Sequence, residues 1–226
     1  MPQMPDSAVL LQIAAAPQLR QPDRALTLCR ALGLGESAAD MPLGARDAAL
    51  MRLRIAMSGP DVPCVDTCPS CRTELELVAP LPDLLALQNG DVVPLVLSDG
   101  PCDARPLSAR DLVAVADLPR REARAQLARA VAGRAVAADD LTTVEDWLEA
   151  ADPLAHVTFD LACSACGTAW SRVFDIVPVL WEELRANARG LITEIHTLAS
   201  AYHWTEAEIL AVPPERRALY LSMVAP

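Results

Sequence analysis

Apolar residues recur at helical spacing through much of the chain. In segment 44–59, Leu50, Leu53 and Met57 fall along one face of a helix, and a Gly-Pro pair predicts its end. The first 20 residues lack such a pattern, and we expect them to be weakly ordered or strand-like. Asp23 then suits the start of a short helix that ends at Gly33.

Two other segments alternate apolar and polar residues, which is typical of half-buried strands. The alternating positions are Thr73, Leu75 and Leu77 in the first segment and Val157, Phe159 and Leu161 in the second. Each strand adjoins a CxxC sequence, CPSC or CSAC, and residues 170–177 form a further strand after CSAC. The pattern therefore predicts two strand–CxxC–strand hairpins.

Between the hairpins, residues 83–153 predict a mostly helical insertion. It opens with a turn at Asn89-Gly90 and a hairpin that bends at 98–101. Helices are predicted from Ser108 with Asp111, from Pro119, and from Thr142 with Glu145 at capping-box spacing.

The C-terminal region is also predicted to be helical. A long helix covers 179–204, with a weak point at Gly190. Thr205 and Glu208 form a capping box for a second helix, and Pro214 begins a third.

These elements predict an α+β, mostly α-helical protein with a split four-cysteine zinc ribbon made of two β-hairpin knuckles. The predicted segments are an N-terminal helical region (1–60), the first knuckle (61–82), the inserted hairpin and helices (83–153), the second knuckle (154–178) and a C-terminal helical region (179–226).

Four cysteines carry the clearest chemistry. Cys68, Cys71, Cys163 and Cys166 place two thiolates on each of two tight turns, and facing turns would form a tetrahedral four-sulfur site. Such a site favours Zn²⁺, with iron less favoured. Four thiolates close the coordination shell, so we expect a structural metal and no catalytic one. The alternatives are packed thiols and transient redox pairs.

Neighbouring residues complete this prediction. Cys64 is a weaker candidate ligand, whereas Cys29 and Cys102 are expected to be packing residues. Arg72 and Arg172 follow the two turns and are expected to offset the negative charge of a four-thiolate site.

Composition narrows the function classes. The 226-residue chain carries a formal charge of -11, and all its basic side chains except three histidines are arginine. An acidic chain without a dense arginine cluster argues against nucleic acid and anionic membranes as partners. No apolar run reaches the roughly 20 residues that span a bilayer. We therefore expect a cytoplasmic protein, or one carried in a particle assembled in the cytoplasm.

No sequence pattern indicates an enzyme or a small-molecule substrate. There is no phosphate loop, nucleophile elbow or HExxH sequence. Four residues near the C-terminus are candidates for a partner-binding surface, with packing in the core as the alternative: Tyr202, His203, Trp204 and Tyr220. For Trp181, packing in the core is at least as strongly indicated as a partner-binding role. His196 and His203 are expected on a partner-facing or solvated helix face.

Four stretches together carry a family resemblance: LGARDAALMRLRIAMSGPDV before CPSC, then RPLSARDL, CSACGTAWSRVFDIVPVLWEEL and EIHTLASAYHWTEAEILAVPPERRALYLSMV. Over about residues 40 to 226 the chain resembles the zinc-ribbon proteins encoded with phage-tail-like contractile injection systems, and the T4-type phage baseplate hub proteins. Arg72 departs from the family pattern, in which glycine commonly follows the second cysteine; Gly167 keeps it.

The resemblance implies a non-enzymatic structural or assembly subunit of a baseplate, with baseplate or hub proteins as partners. The alternatives that the residues leave open are a zinc-ribbon nucleic-acid-binding or regulatory module, a rubredoxin-like electron carrier and a metal-dependent hydrolase.

Overall fold

The computed structural model describes residues 6–15, 19, 21–31, 33–88, 90 and 94–224. These residues form two compact units. The first unit comprises the described residues from Gln21 to Val177 and contains all the cysteines. The second comprises the described residues before Gln21 together with Pro178 onwards.

The described residues form an α+β structure dominated by helices. The helices are α1 (Ser7–Ala15), α2 (Gln21–Ala31), α3 (Leu43–Ser58), α4 (Leu81–Leu85), α5 (Ala109–Val115), α6 (Arg120–Ala132), α7 (Leu141–Ala151), α8 (Ile176–Tyr202), α9 (Glu206–Ala211) and α10 (Pro214–Val224). The strands are β1 (Asp61–Thr67), β2 (Glu74–Pro80), β3 (Leu95–Leu97), β4 (Gly100–Cys102), β5 (Val157–Ala162) and β6 (Ala169–Phe174).

The strands pair as three separate antiparallel hairpins, β1–β2, β3–β4 and β5–β6. In the first hairpin Val62 lies opposite Ala79, and both are buried, whereas alternate residues such as Val65 are exposed. In the third hairpin Val157 lies opposite Phe174. The two hairpins that carry the CxxC sequences therefore each have an inner and an outer face, as the alternation predicted.

Most of the predicted elements are confirmed, including the capping boxes at Ser108 and Thr205. Apart from shifts of a few residues at the ends of elements, two expectations were wrong. Residues 7–15 form a helix where a weakly ordered or strand-like segment was expected. Helix α7 follows directly on a 3₁₀ segment that starts at Ala138, without a capping box at Thr142. The long C-terminal helix is confirmed as α8, which continues through Gly190 because the neighbouring residues favour helix strongly enough to accommodate one glycine. Asn89 lies outside the described residues.

The insertion between the two CxxC hairpins has a hydrophobic core of its own. Side chains of β3, α6 and α7 form it: Leu95, Leu97, Ala128, Val131, Ala132 and Val144. Buried Asp140 fixes the β3–β4 turn, because its carboxylate accepts the backbone N–H of Ser98 at 3.1 Å and the Ser98 hydroxyl at 2.7 Å. The insertion is therefore anchored by apolar packing and a buried polar contact.

Polar contacts at both ends of helix α3 fix its place in the first unit. Arg54, only 4% exposed, donates to the carbonyls of Gly59 at 2.7 Å and Asp61 at 2.6 Å, which fixes the step from α3 into β1. At the other end, the N–H of Gly44 donates to Asp152 at 2.9 Å. A Cβ at Gly44 would overlap the Asp152 carboxylate, so only glycine fits this contact.

In the second unit, one face of α8 is buried. Its buried residues recur at helical spacing: Leu180, Trp181, Leu184, Ala188, Leu191 and Leu198. Trp181 is fully buried, which agrees with the core as the favoured of its two expected places. No helix within the described ranges combines the length and apolarity that a membrane crossing requires.

Ionised Asp111 should stabilise the first unit at neutral pH and lose this effect at acid pH. Its carboxylate accepts two N–H groups of Arg105 at 2.8 Å and the backbone N–H of Ser108 at 2.8 Å. Arg105, followed by the Ser108 hydrogen bonds, lowers the pKa of Asp111 to about 2. Since this pKa is depressed, the ionised Asp111 contributes its full share to the free energy of unfolding above the unfolded-state pKa of about 4. That share is lost as the pH falls towards 2.

We therefore expect Asp111→Asn to lower the free energy of unfolding by about 1–2 kcal/mol at pH 7, with the difference shrinking towards pH 2. Urea unfolding at a series of pH values measures this. Asp146→Asn, at an exposed position within α7, is the matched control and should have little effect. A deficit for Asp111→Asn that stays constant from pH 7 to pH 2 would contradict the assignment.

Candidate metal centre

The four predicted cysteines meet at one point, although the two pairs are far apart in sequence. Their sulfur atoms all lie within 4.8 Å of one another. Cys68 Sγ lies 3.7 Å from Cys166 Sγ, and Cys71 Sγ lies 3.5 Å from Cys163 Sγ, across a separation of 92 residues. All seven cysteines of the chain are free thiols.

These distances fit a shared metal ion. A tetrahedral ion with metal–sulfur bonds of about 2.3 Å holds its sulfurs about 3.8 Å apart, whereas a disulfide brings them to about 2 Å. The four cysteines could therefore hold a metal ion, and no second group of His, Cys, Asp and Glu side chains within the described part of the chain is close enough to do so.

Two turns of the same geometry supply the ligands. In the first, Arg72 N–H donates to Cys68 O at 3.0 Å, and Cys68 N–H donates to Thr73 O at 2.9 Å. In the second, the equivalent hydrogen bonds join Gly167 to Cys163 and Cys163 to Thr168, both at 2.9 Å. Each turn thus points its two sulfurs to the same side, as the CxxC spacing predicted.

Two threonines belong to this site and were missed by the sequence reasoning. Thr73 Oγ1 lies 3.2 Å from Cys71 Sγ, and Thr168 Oγ1 lies 3.2 Å from Cys166 Sγ. When the sulfur is a thiolate, the hydroxyl donates to it. The signal was in the sequence, because threonine stands two residues after the second cysteine in both CPSCRT and CSACGT.

The surroundings favour thiolate at two of the sulfurs. The Thr73 hydroxyl, together with the Thr73 backbone N–H, lowers the pKa of Cys71 to about 6, and Thr168 lowers the pKa of Cys166 in the same way. The backbone N–H groups of Cys166 and Ala165 also lower the pKa of Cys163, but desolvation and the neighbouring sulfurs outweigh them and raise it to about 11. Metal binding would therefore release protons.

Asp66 joins the two hairpins beside the sulfur cluster. Trp170 Nε1, on β6, donates to the carboxylate of Asp66, on β1, at 3.0 Å, and Arg172 Nε lies 4.0 Å from the same oxygen. The pKa of Asp66 is lowered, chiefly by the hydrogen bond from Trp170. Arg172 thus faces this carboxylate, and Arg72 is exposed next to the first turn. The expectation that both arginines offset the thiolate charge stays a prediction.

The remaining cysteines lie outside the cluster. Cys64 Sγ is 3.6 Å from the carbonyl of Val62 and is not among the converging sulfurs. Cys29 is fully buried, and Cys102 packs against the core of the insertion. The places of Cys29 and Cys102 match their expected packing roles.

The candidate partner-binding residues lie in the second unit. Tyr202 and Trp204 stack with ring centroids 4.9 Å apart, and Tyr220 meets Trp204 edge-on at 5.1 Å. His203 is exposed and has a left-handed backbone with φ of 56°, which ends α8. The three half-buried rings thus pack on one another, and His203 lies beyond the helix that carries His196.

The residue after each second cysteine has a left-handed backbone, with φ of 61° at Arg72 and 75° at Gly167. This conformation suits glycine and is strained for a residue with a Cβ. No atom lies within 4 Å of a Cβ built on Gly167, so a substitution there changes the backbone energy alone.

We therefore expect opposite effects from two substitutions in metal-loaded protein. Gly167→Ala should lower the free energy of unfolding by about 1 kcal/mol, and Arg72→Gly should raise it by up to about 1 kcal/mol. Urea unfolding of the two variants beside the parent protein measures the difference. If both substitutions destabilised the protein equally, the left-handed backbone would not have the same energetic effect in the two turns, and the prediction would be contradicted.

We compared the chain with protein-family models, curated proteins and solved structures, and none of the three comparisons gave a match.

Proposed function

We propose that Cys68, Cys71, Cys163 and Cys166 bind one structural Zn²⁺ and form a split zinc ribbon. The sulfur separations of 3.5 and 3.7 Å support a tetrahedral four-sulfur site. Zinc is preferred to iron because it imposes no geometry of its own and keeps thiolates bound without redox chemistry.

The role of this zinc is to hold the fold. Four thiolates leave no open coordination position for water or substrate, which is what distinguishes structural from catalytic zinc. The ion joins a turn before the insertion to a turn after it, so metal binding is linked to folding of the first unit. No catalytic step is assigned to the site.

The zinc-stabilised protein is proposed to be a structural or assembly subunit of the baseplate of a contractile phage-tail-like particle. Two observations support this role: the convergence of the two dicysteine turns, and the sequence resemblance to such proteins over about residues 40 to 226. Its partners are baseplate or hub proteins. The candidate contact residues in the second unit remain Tyr202, His203, Trp204 and Tyr220.

Exposed apolar side chains on the first CxxC hairpin support a role in protein–protein contacts. Val65 is 65% exposed and Val78 57% exposed, both on the outer face of the β1–β2 hairpin. Glu74 and Glu76 are exposed on the same face. Acidic residues around an apolar patch favour binding to another protein over binding to a phosphate backbone, which they would repel. This disfavours the alternative of a nucleic-acid-binding module.

Zinc binding is tested by metal analysis of freshly purified, reduced protein. We expect one Zn²⁺ per chain, lost in Cys68→Ser and Cys163→Ser, with unfolding by a chelator such as EDTA. The matched controls Cys64→Ser and Cys102→Ser change half-buried cysteines outside the cluster and should retain full occupancy. Absence of metal, or a red protein that contains iron, would contradict the zinc assignment.

The baseplate role is tested in cells that produce contractile particles. Deletion of the gene should abolish complete particles in electron micrographs, and a tagged copy should recover baseplate proteins by pull-down. The tagged Cys163→Ser variant should recover none, because the fold is not clamped. Normal particles after deletion, or a DNA complex that weakens steeply with salt, would favour the nucleic-acid alternative.

A further inference from the structure

A cavity in the first unit, separate from the sulfur cluster, has the character of a ligand site. It has a volume of about 340 Å³, within the range of small-molecule pockets. Helices α2, α3 and α5, the end of β6 and the start of α8 surround it. Its lining residues include Ala25, Leu43, Leu112, Phe174 and Val177 on the apolar side and Arg46, Asp47 and Asp175 on the polar side.

The polar side is built around a buried ion pair. Arg46 and Asp47 are 7% and 8% exposed. Arg46 Nε donates to Asp47 Oδ1 at 2.7 Å, and a second guanidinium nitrogen lies 2.6 Å from the same oxygen. Both contacts end on Oδ1, and no described side chain or backbone group donates to the other oxygen, Oδ2.

The electrostatic environment of Asp47 favours an added positive charge. Burial, helped by the neighbouring carboxylates of Asp175 and Asp152, raises the pKa of Asp47 to about 6 against the opposing effect of Arg46. A carboxylate that is short of donors and close to other carboxylates is stabilised by a cation that brings N–H groups.

The cation is organic, since the geometry does not suit a metal ion. Among the described residues, the carboxylates here do not form a group of three with oxygens close enough to share one ion. An ammonium group needs a single buried carboxylate, and the apolar walls accommodate the alkyl chain that carries it.

We infer that this cavity binds a primary ammonium group on a short apolar chain, with the ammonium nitrogen donating to Asp47 Oδ2 and the alkyl part lying against Leu43, Leu112 and Phe174. Two sources present this chemistry, a free alkylamine or a lysine side chain of another protein. The chain itself contains no lysine. The site does not depend on the zinc or baseplate assignments.

Titration calorimetry of the metal-loaded protein at pH 7.5 with n-butylammonium and with 1-butanol tests the site. Butylammonium should bind at least about tenfold more tightly than the alcohol, because only the ammonium makes a charge-assisted hydrogen bond. The same preference should vanish in Asp47→Asn. Equal binding of the amine and the alcohol, or an unchanged preference in Asp47→Asn, would overturn the inference.

Two further variants locate the site and guard against misfolding. Asp47→Asn leaves Arg46 buried without its carboxylate, so the double variant Arg46→Met with Asp47→Leu replaces the pair by apolar side chains of similar volume. It should fold and also lose the amine preference; a preference retained in this folded variant would overturn the inference. Glu149 lines a neighbouring cavity, and the variant Glu149→Gln should keep the preference for the amine. Loss of the preference in this variant would place the bound amine in that other cavity and overturn the inference.

A peptide comparison separates the two sources. Acetyl-Gly-Lys-Gly-amide should bind like butylammonium if a lysine side chain is the ligand, and the same peptide acetylated on its lysine nitrogen should not. Binding of butylammonium alone would assign the cavity to free amines. Binding of neither amine would remove the site altogether.

Discussion

The meeting of four sulfur atoms from two distant turns is the constraint on which the first unit depends. Thiolates at 3.5–3.7 Å repel one another unless a cation lies between them. Closing a loop of about 90 residues also costs about 4–5 kcal/mol of chain entropy. The contact between the hairpins therefore needs a strong local interaction, and a metal ion held by the four sulfurs would supply it.

The insertion explains how so long a loop can be tolerated. Its core of β3, α6 and α7 side chains is local, so the segment can fold before the two turns meet. The Gly44–Asp152 contact then joins the end of the insertion to the start of α3. The four-cysteine cluster thus joins parts of the structure that are already organised, and the hydrogen bond between Asp66 and Trp170 adds a direct link between the two hairpins.

The sequence predicted the elements better than their ends. Alternation and CxxC spacing were enough to place the cysteine cluster, because both signals are local and the chemistry of thiolates is specific. The helix at 7–15 was missed since its pattern is apolar nearly all round, which gives no helical period. Asp66, Trp170 and the Arg46–Asp47 cavity depend on which segments meet in space, and no spacing along the chain encodes that.

The two dicysteine turns differ at three positions, and the last of these, Arg72 in one turn and Gly167 in the other, makes their backbone energies unequal. Gly167 adopts its left-handed backbone at little cost, so the second turn can keep its shape without the ion. Arg72 gains by leaving that conformation once its cysteines are released. A metal ion should therefore bind Cys163 and Cys166 first and the other two cysteines afterwards. On release it should leave the other two cysteines first. Metal exchange would then pass through an intermediate in which only the second turn is ordered.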